Sequence, residues 1–353
     1  MPTSLIEKLR RVDWIGAVLF VGSTASFMIP LTWGGVMYPW SSWRTLVPLI
    51  IGAIGVLIFV GYEVYIAADP LIPSHIFNNR TATVTYIGSA MQGLILWCIL
   101  YYMPLYYEAV KGYTPIASGV ALFPECFTVA PLAVVTGILI TKYGKYRSAV
   151  WLGWILSTTG AGLLCILEVD TSIPAWIFLN LVGGVGLGIL FPALGFANQA
   201  SVSDQKNNMA IAVAMFGFFR AFGQAIGVAI GGVVFQNQMK ANLLNYANLA
   251  PLASQYSADA AGLVQIIKAM PDGVDKQDLR QAYTDSLRIV WAVCCAISGL
   301  ALLLSLLTKE YDLNRELEGD QGIREERNTR SSIEAGNNLE KNDAAAGGDG
   351  ASM

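Results

Sequence analysis

Eight long apolar blocks run along the chain, at 14–34, 45–67, 83–106, 116–141, 149–167, 174–196, 209–235 and 287–308, with short polar stretches between most of them. A bilayer core about 30 Å thick is crossed by a helix of about 20 mostly apolar residues, and each block is of that order. A helix on a soluble core is usually shorter and keeps one polar face. The pattern therefore predicts an all-α chain, a polytopic transmembrane helical bundle of eight spans. Two regions depart from it. Residues 236–286 predict a long extracytoplasmic loop, in which Ala258 to Met270 has the spacing of a short amphipathic helix lying on the membrane surface. From Lys309 the chain turns polar, with alternating charges and an Ala/Gly/Asp end, which predicts a short helical extension fading into disorder.

Composition agrees with that pattern. Of the 353 residues, 54% are hydrophobic and 13% charged, against about 25% charged in an average soluble domain. The net charge of −3 comes without any basic stripe, so a nucleic-acid partner is not expected. Lys and Arg in the short loops choose the orientation. With the N-terminus inside, the inner segments hold Lys8, Arg10, Arg11, Arg80, Lys142, Lys145, Arg147 and Lys206, and the short outer loops hold Arg44 and Lys111. Both termini are expected to be cytoplasmic. The sequon Asn79-Arg80-Thr81 then falls on the inner side, where it is not used. Cys98, Cys126, Cys165, Cys294 and Cys295 all lie in apolar blocks and read as small buried hydrophobes, without disulfide or zinc spacing.

Catalytic chemistry has little to stand on. His75 is the sole histidine, too few for a haem or metal-oxygenase site. No nucleophile–base pair or phosphate loop is visible, so no catalytic residue, metal site or enzyme activity is expected. Gly183-Gly184-Val185-Gly186-Leu187-Gly188 has the look of a dinucleotide loop but lies inside an apolar block, where glycines let helices approach closely. The informative residues are the charges inside spans, which are costly there and usually face protein or water. Arg220 lies about 16 Å into its span, near the midplane. It shares a stripe with Phe216 and Gln224 by i, i+4 spacing, beside a packing seam of Gly223, Gly227 and Gly231. Glu125 lies about 14 Å from the outer end of its span, between Pro124 and Pro131, where a bend is expected. Two readings of Glu125 stay open: a site that carries a coupling proton, or a structural partner of Arg220 at similar depth. Glu63 sits near a span end, within reach of the interface. Gln92, Asn180 and the run Ser157-Thr158-Thr159 add uncharged polar groups. The spans also hold the aromatics Tyr86, Trp97, Tyr101, Tyr102, Trp151, Trp154 and Phe219; those near span ends fit an interfacial belt, and mid-span ones are candidates to line a cavity, without spacing to single any out.

Three stretches carry a family resemblance. Phe218-Phe219-Arg220-Ala221-Phe222-Gly223-Gln224-Ala225-Ile226-Gly227-Val228-Ala229-Ile230-Gly231-Gly232, ending in Phe235-Gln236-Asn237, resembles the penultimate span of fourteen-span drug:proton antiporters of the major facilitator superfamily, fungal members above all. Ser118 to Glu125 (SGVALFPE) is similar to their tenth span. The loop from Gly137 to Arg147 is similar to the superfamily's cytoplasmic Gly-x-x-x-Asp-Arg-x-Gly-Arg-Arg loop. Gly137, Lys142, Gly144, Lys145 and Arg147 are its matching or basic positions, and Thr141 stands where the motif has Asp. The resemblance covers roughly residues 5–310 and makes the eight blocks spans seven to fourteen.

It implies a cytoplasmic segment over 1–13, two linker helices over 14–67, a six-helix C-terminal bundle over 68–308 and a cytoplasmic tail over 309–353. Spans one to six and the fifth-span antiporter motif have no counterpart. The implied activity is proton-coupled efflux of small amphipathic compounds, such as drugs, toxins or secondary metabolites, in the plasma membrane or alternatively the vacuolar membrane. No cofactor beyond a proton gradient is implied. A single bundle carries half of a midplane site. The expectation is thus a truncated chain, an inactive remnant, or a half-transporter that pairs with another half or with a second copy of itself.

Overall fold

The computed structural model describes residues 13–34, 38–67, 72, 77, 79–201 and 208–311. His75, Lys206, the basic residues before Asp13 and the tail beyond Tyr311 lie outside the described residues. Within them are 11 α-helices and no strand: α1 (Trp14–Trp33), α2 (Trp43–Tyr65), α3 (Arg80–Ala109), α4 (Pro115–Ala121), α5 (Phe123–Tyr143), α6 (Arg147–Leu164), α7 (Ile173–Ser201), α8 (Asn208–Leu243), α9 (Ala253–Tyr256), α10 (Ala260–Ala269) and α11 (Val274–Ser305). Seven of them, α1, α2, α3, α5, α7, α8 and α11, are long and apolar enough to cross a membrane. Each of the eight predicted blocks is helical. The block at 149–167 became α6, which at 18 residues is long enough but is diluted by Ser157, Thr158, Thr159 and its glycines.

α3 and α7 form the interior. α3 packs on α8, α11 and α7, while α7 packs on α6, α5 and α3, and α11 closes against α6. Glycine sets the closest approaches. A Cβ on Gly223 would fall 1.9 Å from the Ala90 carbonyl oxygen, one on Gly227 2.3 Å from that of Leu94, and one on Gly231 2.4 Å from the Tyr102 ring. The three glycines at four-residue spacing are the surface on which α3 lies. The α7 run works the same way in two directions. Gly183 and Gly186 meet Gly160 and Ser157 of α6, and Gly184 and Gly188 meet Glu125 and Val129 of α5. Dispersion from close backbone contact is the main attraction available between helices in lipid.

α1 and α2 form a hairpin. Gly52 lies against Phe27, and the Ser26 hydroxyl donates to the Pro48 carbonyl at 2.9 Å. The hairpin touches the bundle through α8, with Phe20–Phe218 and Phe27–Phe222 ring centroids 4.9 and 6.2 Å apart. Its outward residues, among them Ile15, Val18, Ile51 and Leu57, are exposed.

The structure moves several predicted boundaries. The single block 116–141 is broken at Leu122, because Pro124 opens α5 and has no N–H to continue the ladder from α4. Pro131 stays inside α5. The predicted loop 236–286 is much shorter, since α8 continues to Leu243 and α11 begins at Val274. The amphipathic helix is present as α10, but Leu263, Val264 and Ile267 are buried against protein instead of lying on lipid, and the Tyr283 hydroxyl donates to the Ala260 carbonyl. Its apolar side covers the end of α3. An ion pair between Lys268 and Glu108 at 2.6 Å holds it there. The same end carries Lys111, whose ammonium donates to the Val169 and Thr171 carbonyls at 2.6 and 2.7 Å. Among the cysteines, Cys98 and Cys294 are buried, Cys165 and Cys295 half-buried, and Cys126 faces outward.

At the opposite end, the residues after α11 fold back as a strap. Tyr146, fully buried before α6, donates its hydroxyl proton to the Lys309 carbonyl at 2.7 Å and accepts from the Tyr311 amide at 2.8 Å. Burial pushes its phenol up to about 12, so it keeps the proton it donates. The Lys309 amide donates to the Thr81 hydroxyl, and the Tyr311 hydroxyl to Asn79 Oδ1. Asn79 also caps α3 by accepting from the Thr81 amide and reaches across to the Ser201 carbonyl at 2.8 Å. The sequon asparagine is therefore committed at both ends of its amide.

Two outcomes test this architecture. Gly227→Val overpacks the α3–α8 seam and should cost about 1–3 kcal/mol, lowering the thermal midpoint in detergent, whereas Gly217→Ala, in open space, should leave it unchanged. Tyr146→Phe removes both strap bonds and should cost about 1–3 kcal/mol, read as faster proteolysis within 306–311 with the bundle intact.

Candidate functional site

Polar side chains enter the bundle interior at two places. The first surrounds Glu125. The break at Leu122 starts α5 one turn before it, and its amide donates to the Leu122 carbonyl at 3.1 Å. Glu125 is 0% exposed, and neither carboxylate oxygen has a hydrogen-bond partner. It fits because α7 presents glycine to it. A Cβ on Gly184 would stand 2.9 Å from the Glu125 carbonyl oxygen, and one on Gly183 3.8 Å from Oε1. One turn before Gly184 on α7 lies Asn180, also fully buried. Its amide nitrogen donates to the Tyr107 hydroxyl at 2.8 Å and the Trp176 carbonyl at 2.7 Å, while its Oδ1 is unpartnered. An unpaired carboxylate in such a place is costly, and a bound proton or a donor group relieves that cost. Nearby, Tyr113, Val120, Phe123, Phe127 and Trp176 line an apolar groove of about 670 Å³.

The second place surrounds Arg220 on α8. Its Nε donates to Gln92 Oε1 of α3 at 2.9 Å, and its guanidinium carbon lies 4.4 Å from the centroid of the Phe191 ring of α7. The short reach follows from Gly93, which lets the Arg220 backbone come within contact of α3. Gln92 is 1% exposed, and its Nε2 has no partner. Gln224, one turn further along α8, is half-buried. Phe191 and Phe216 carry on into a cavity of about 250 Å³ between α7 and α8, shared with Phe196, Asn198 and Val213.

Glu125 and Arg220 are not brought together. Glu125 sits between α5 and α7, and Arg220 sits between α8, α3 and α7, with a neutral amide as its partner. Depth along two helices is the same information for neighbours and for residues on different faces, so depth alone leaves the pairing open. Of the span aromatics, Tyr86 and Phe219 stack on each other at 5.4 Å and Trp154 is fully buried, so these three fill core. Glu63 is buried near its span end, with Oε2 accepting from the Ile72 amide. Tyr107 has no signal in the sequence, because it lies just past the apolar block 83–106, among other tyrosines.

The resembling loop ends α5 as expected of a turn. Gly144 adopts φ +68° and donates to the Ile140 carbonyl. Thr141 donates its hydroxyl to the Gly137 carbonyl at 2.9 Å. Arg147 lies 4.4 Å over the Trp151 ring, and Lys142 5.7 Å over that of Tyr143. Lys145 follows Gly144 in the same turn, and Gly137 faces open space.

No protein-family model matches the chain. Curated relatives do. An "MFS transporter L2" of Phoma sp. is 57% identical over 320 residues, covering 91% of this chain and 53% of the relative. An "Acurin A biosynthesis cluster MFS-type transporter" of Aspergillus aculeatus is 36% identical over 329 residues, 91% of this chain and 58% of the relative. An "MFS-type efflux pump LUC4" of Fusarium sp. is 34% identical over 338 residues, 94% of this chain and 59% of the relative. The chain thus spans a little over half the length of these relatives. Among solved structures, a bacterial homologue of the human lysosomal transporter Spinster, inward-facing and occupied, superposes with a TM-score of 0.52 at 14% identity, covering 83% of this chain and 64% of that one. That likeness speaks for the fold. With its apolar helices, its shared fold and its sequence relatives, the chain is an integral membrane protein that is similar, over the part it spans, to fungal MFS-type transporters.

Proposed function

We propose that this chain is the C-terminal, eight-span part of a proton-coupled efflux transporter for small amphipathic compounds. The observation that carries the reading is Glu125, a carboxyl held fully buried between α5 and the glycine run of α7 with both oxygens unpartnered. A group so placed takes up and releases a proton as its surroundings open and close. The relatives' names as efflux pumps supply the direction. In this reading α6 is a span as well and completes the eight, because it lies between α7 and α11 with Trp154 buried. The hairpin α1–α2 is a linker pair set against α8, and α3, α5, α6, α7, α8 and α11 form the bundle. Both termini face the cytoplasm of a plasma-membrane protein. Arg220 and Gln224 line the midplane side of the substrate path, and the basic turn Lys142–Arg147 faces the cytoplasm.

A second reading has the bundle act only with a partner. The exposed aromatic and aliphatic side of α5, with Phe123, Phe127, Val134 and Ile138 outward, supports it. A rocking mechanism needs a second bundle across the midplane site, from another chain segment, another half-transporter or a second copy.

Proteoliposomes carrying the chain alone, or joined to the preceding half of the Phoma relative, separate the two readings by whether flux needs the added half. In whichever form transports, Glu125→Gln should remove proton-driven export while leaving substrate binding within about threefold. Unchanged export would sink the coupling role. The inside placement of Asn79 predicts no mobility shift on enzymatic deglycosylation of the chain expressed in a fungal host, and a glycan on Asn79 would overturn the orientation.

A further inference from the structure

The unused hydrogen-bonding capacity of Arg220 itself is all donor capacity. A guanidinium has five N–H donors and no acceptor. One of them, on Nε, is spent on Gln92 Oε1 at 2.9 Å. Among the described residues no carboxylate lies within ion-pair distance of Arg220, and its terminal nitrogens have no hydrogen-bond partner. Because arginine can only donate, the Gln92 amide must turn its oxygen to Arg220 and its nitrogen away. That nitrogen is buried and unpartnered as well. Gln92 therefore holds the guanidinium in place, and the terminal nitrogens of Arg220 are the donors left for a ligand. Beneath them the Phe191 ring lies 4.4 Å from the guanidinium carbon. Phe191 and Phe216, with ring centroids 6.2 Å apart, are the walls by which the site joins the cavity of about 250 Å³ toward Asn198 and Val213.

We infer that Arg220, held by Gln92, forms an anion subsite, and that the adjoining Phe191–Phe216 cavity takes the apolar body of a small lipophilic organic acid. The inference deepens the transport reading and rests on it for the acid's role as cargo. The physical reasons are two. A permanent cation near the midplane without a counter-charge is costly, and an anion offsets that cost. A planar fork recognises a carboxylate through two parallel bonds, which a cationic or purely apolar ligand leaves unmade. Glu125 belongs to the separate α5–α7 site and makes no ion pair here, so a bound acid and a proton on Glu125 occupy different places in one bundle.

The test is binding to the purified chain in detergent, with 2-naphthoate as probe and methyl 2-naphthoate and 2-naphthylmethylammonium as matched neutral and cationic forms. The acid should bind at least about tenfold more tightly than either, a difference of about 1.4 kcal/mol. Arg220→Gln should abolish that preference. Gln92→Glu, which places an internal carboxylate beside Arg220, should abolish it too and keeps the helix pair joined if Arg220→Gln does not fold. Val213→Trp, which fills the cavity, should weaken all three probes while Arg220 stays in place. An acid preference that survives Gln92→Glu overturns the inference, as does a wild-type chain that binds the ester as tightly as the acid. Because this readout is binding without flux, its failure is distinct from a failure of transport in proteoliposomes.

Discussion

Close backbone contact between α3 and α8 is the constraint on which the rest of the bundle depends. Helices in lipid gain nothing from burying apolar side chains, since the lipid is just as apolar, so they associate where small residues let backbones touch. Gly223, Gly227 and Gly231 face Ala90, Leu94 and Tyr102 across this contact, and Gly93 of α3 answers with the backbone of Arg220. The approach also delivers Arg220 to Gln92. A longer side chain at any of these positions would separate the helices, and the guanidinium would lose its partner along with the packing.

The α7 helix repeats the device with more neighbours. Its glycines admit α6 on one side and α5 on the other, and the α5 side is where Glu125 lies. Each midplane charge therefore sits where glycine has removed a side chain from a facing helix. The two charges are kept apart by α7 itself, which gives Asn180 to the neighbourhood of Glu125 and Phe191 to Arg220.

The ends of the helices are organised differently from the middle. One end is tied by Tyr146, Asn79 and Thr81 to the strap at 306–311, and the other by Lys111, Lys268–Glu108 and the cover helix α10. These contacts use carbonyls, amides and charges, because near water polar groups can be exchanged and paired at little cost. Between the ends, polar contacts between helices include Thr158 with Ser298 at 3.0 Å in the α6–α11 seam and the Tyr102 hydroxyl donating to the Val228 carbonyl at 3.1 Å between α3 and α8.

The sequence by itself determined the elements: all eight apolar blocks became helical, one of them split in two at Leu122, the glycine stripe at 223, 227 and 231 became a packing seam, and Arg220 and Glu125 emerged as costly groups inside spans. Length and hydropathy carry that information locally, so no partner need be known. Only the tertiary structure decided which faces meet. It separated Glu125 from Arg220, gave Arg220 to Gln92, folded 258–270 onto protein instead of lipid, and turned the sequon at Asn79 into a cap and a strap anchor. Those outcomes depend on the rotation of each helix about its axis and on contacts between distant residues. Apolar residues all round a membrane helix hide that rotation, because lipid and protein accept the same side chains.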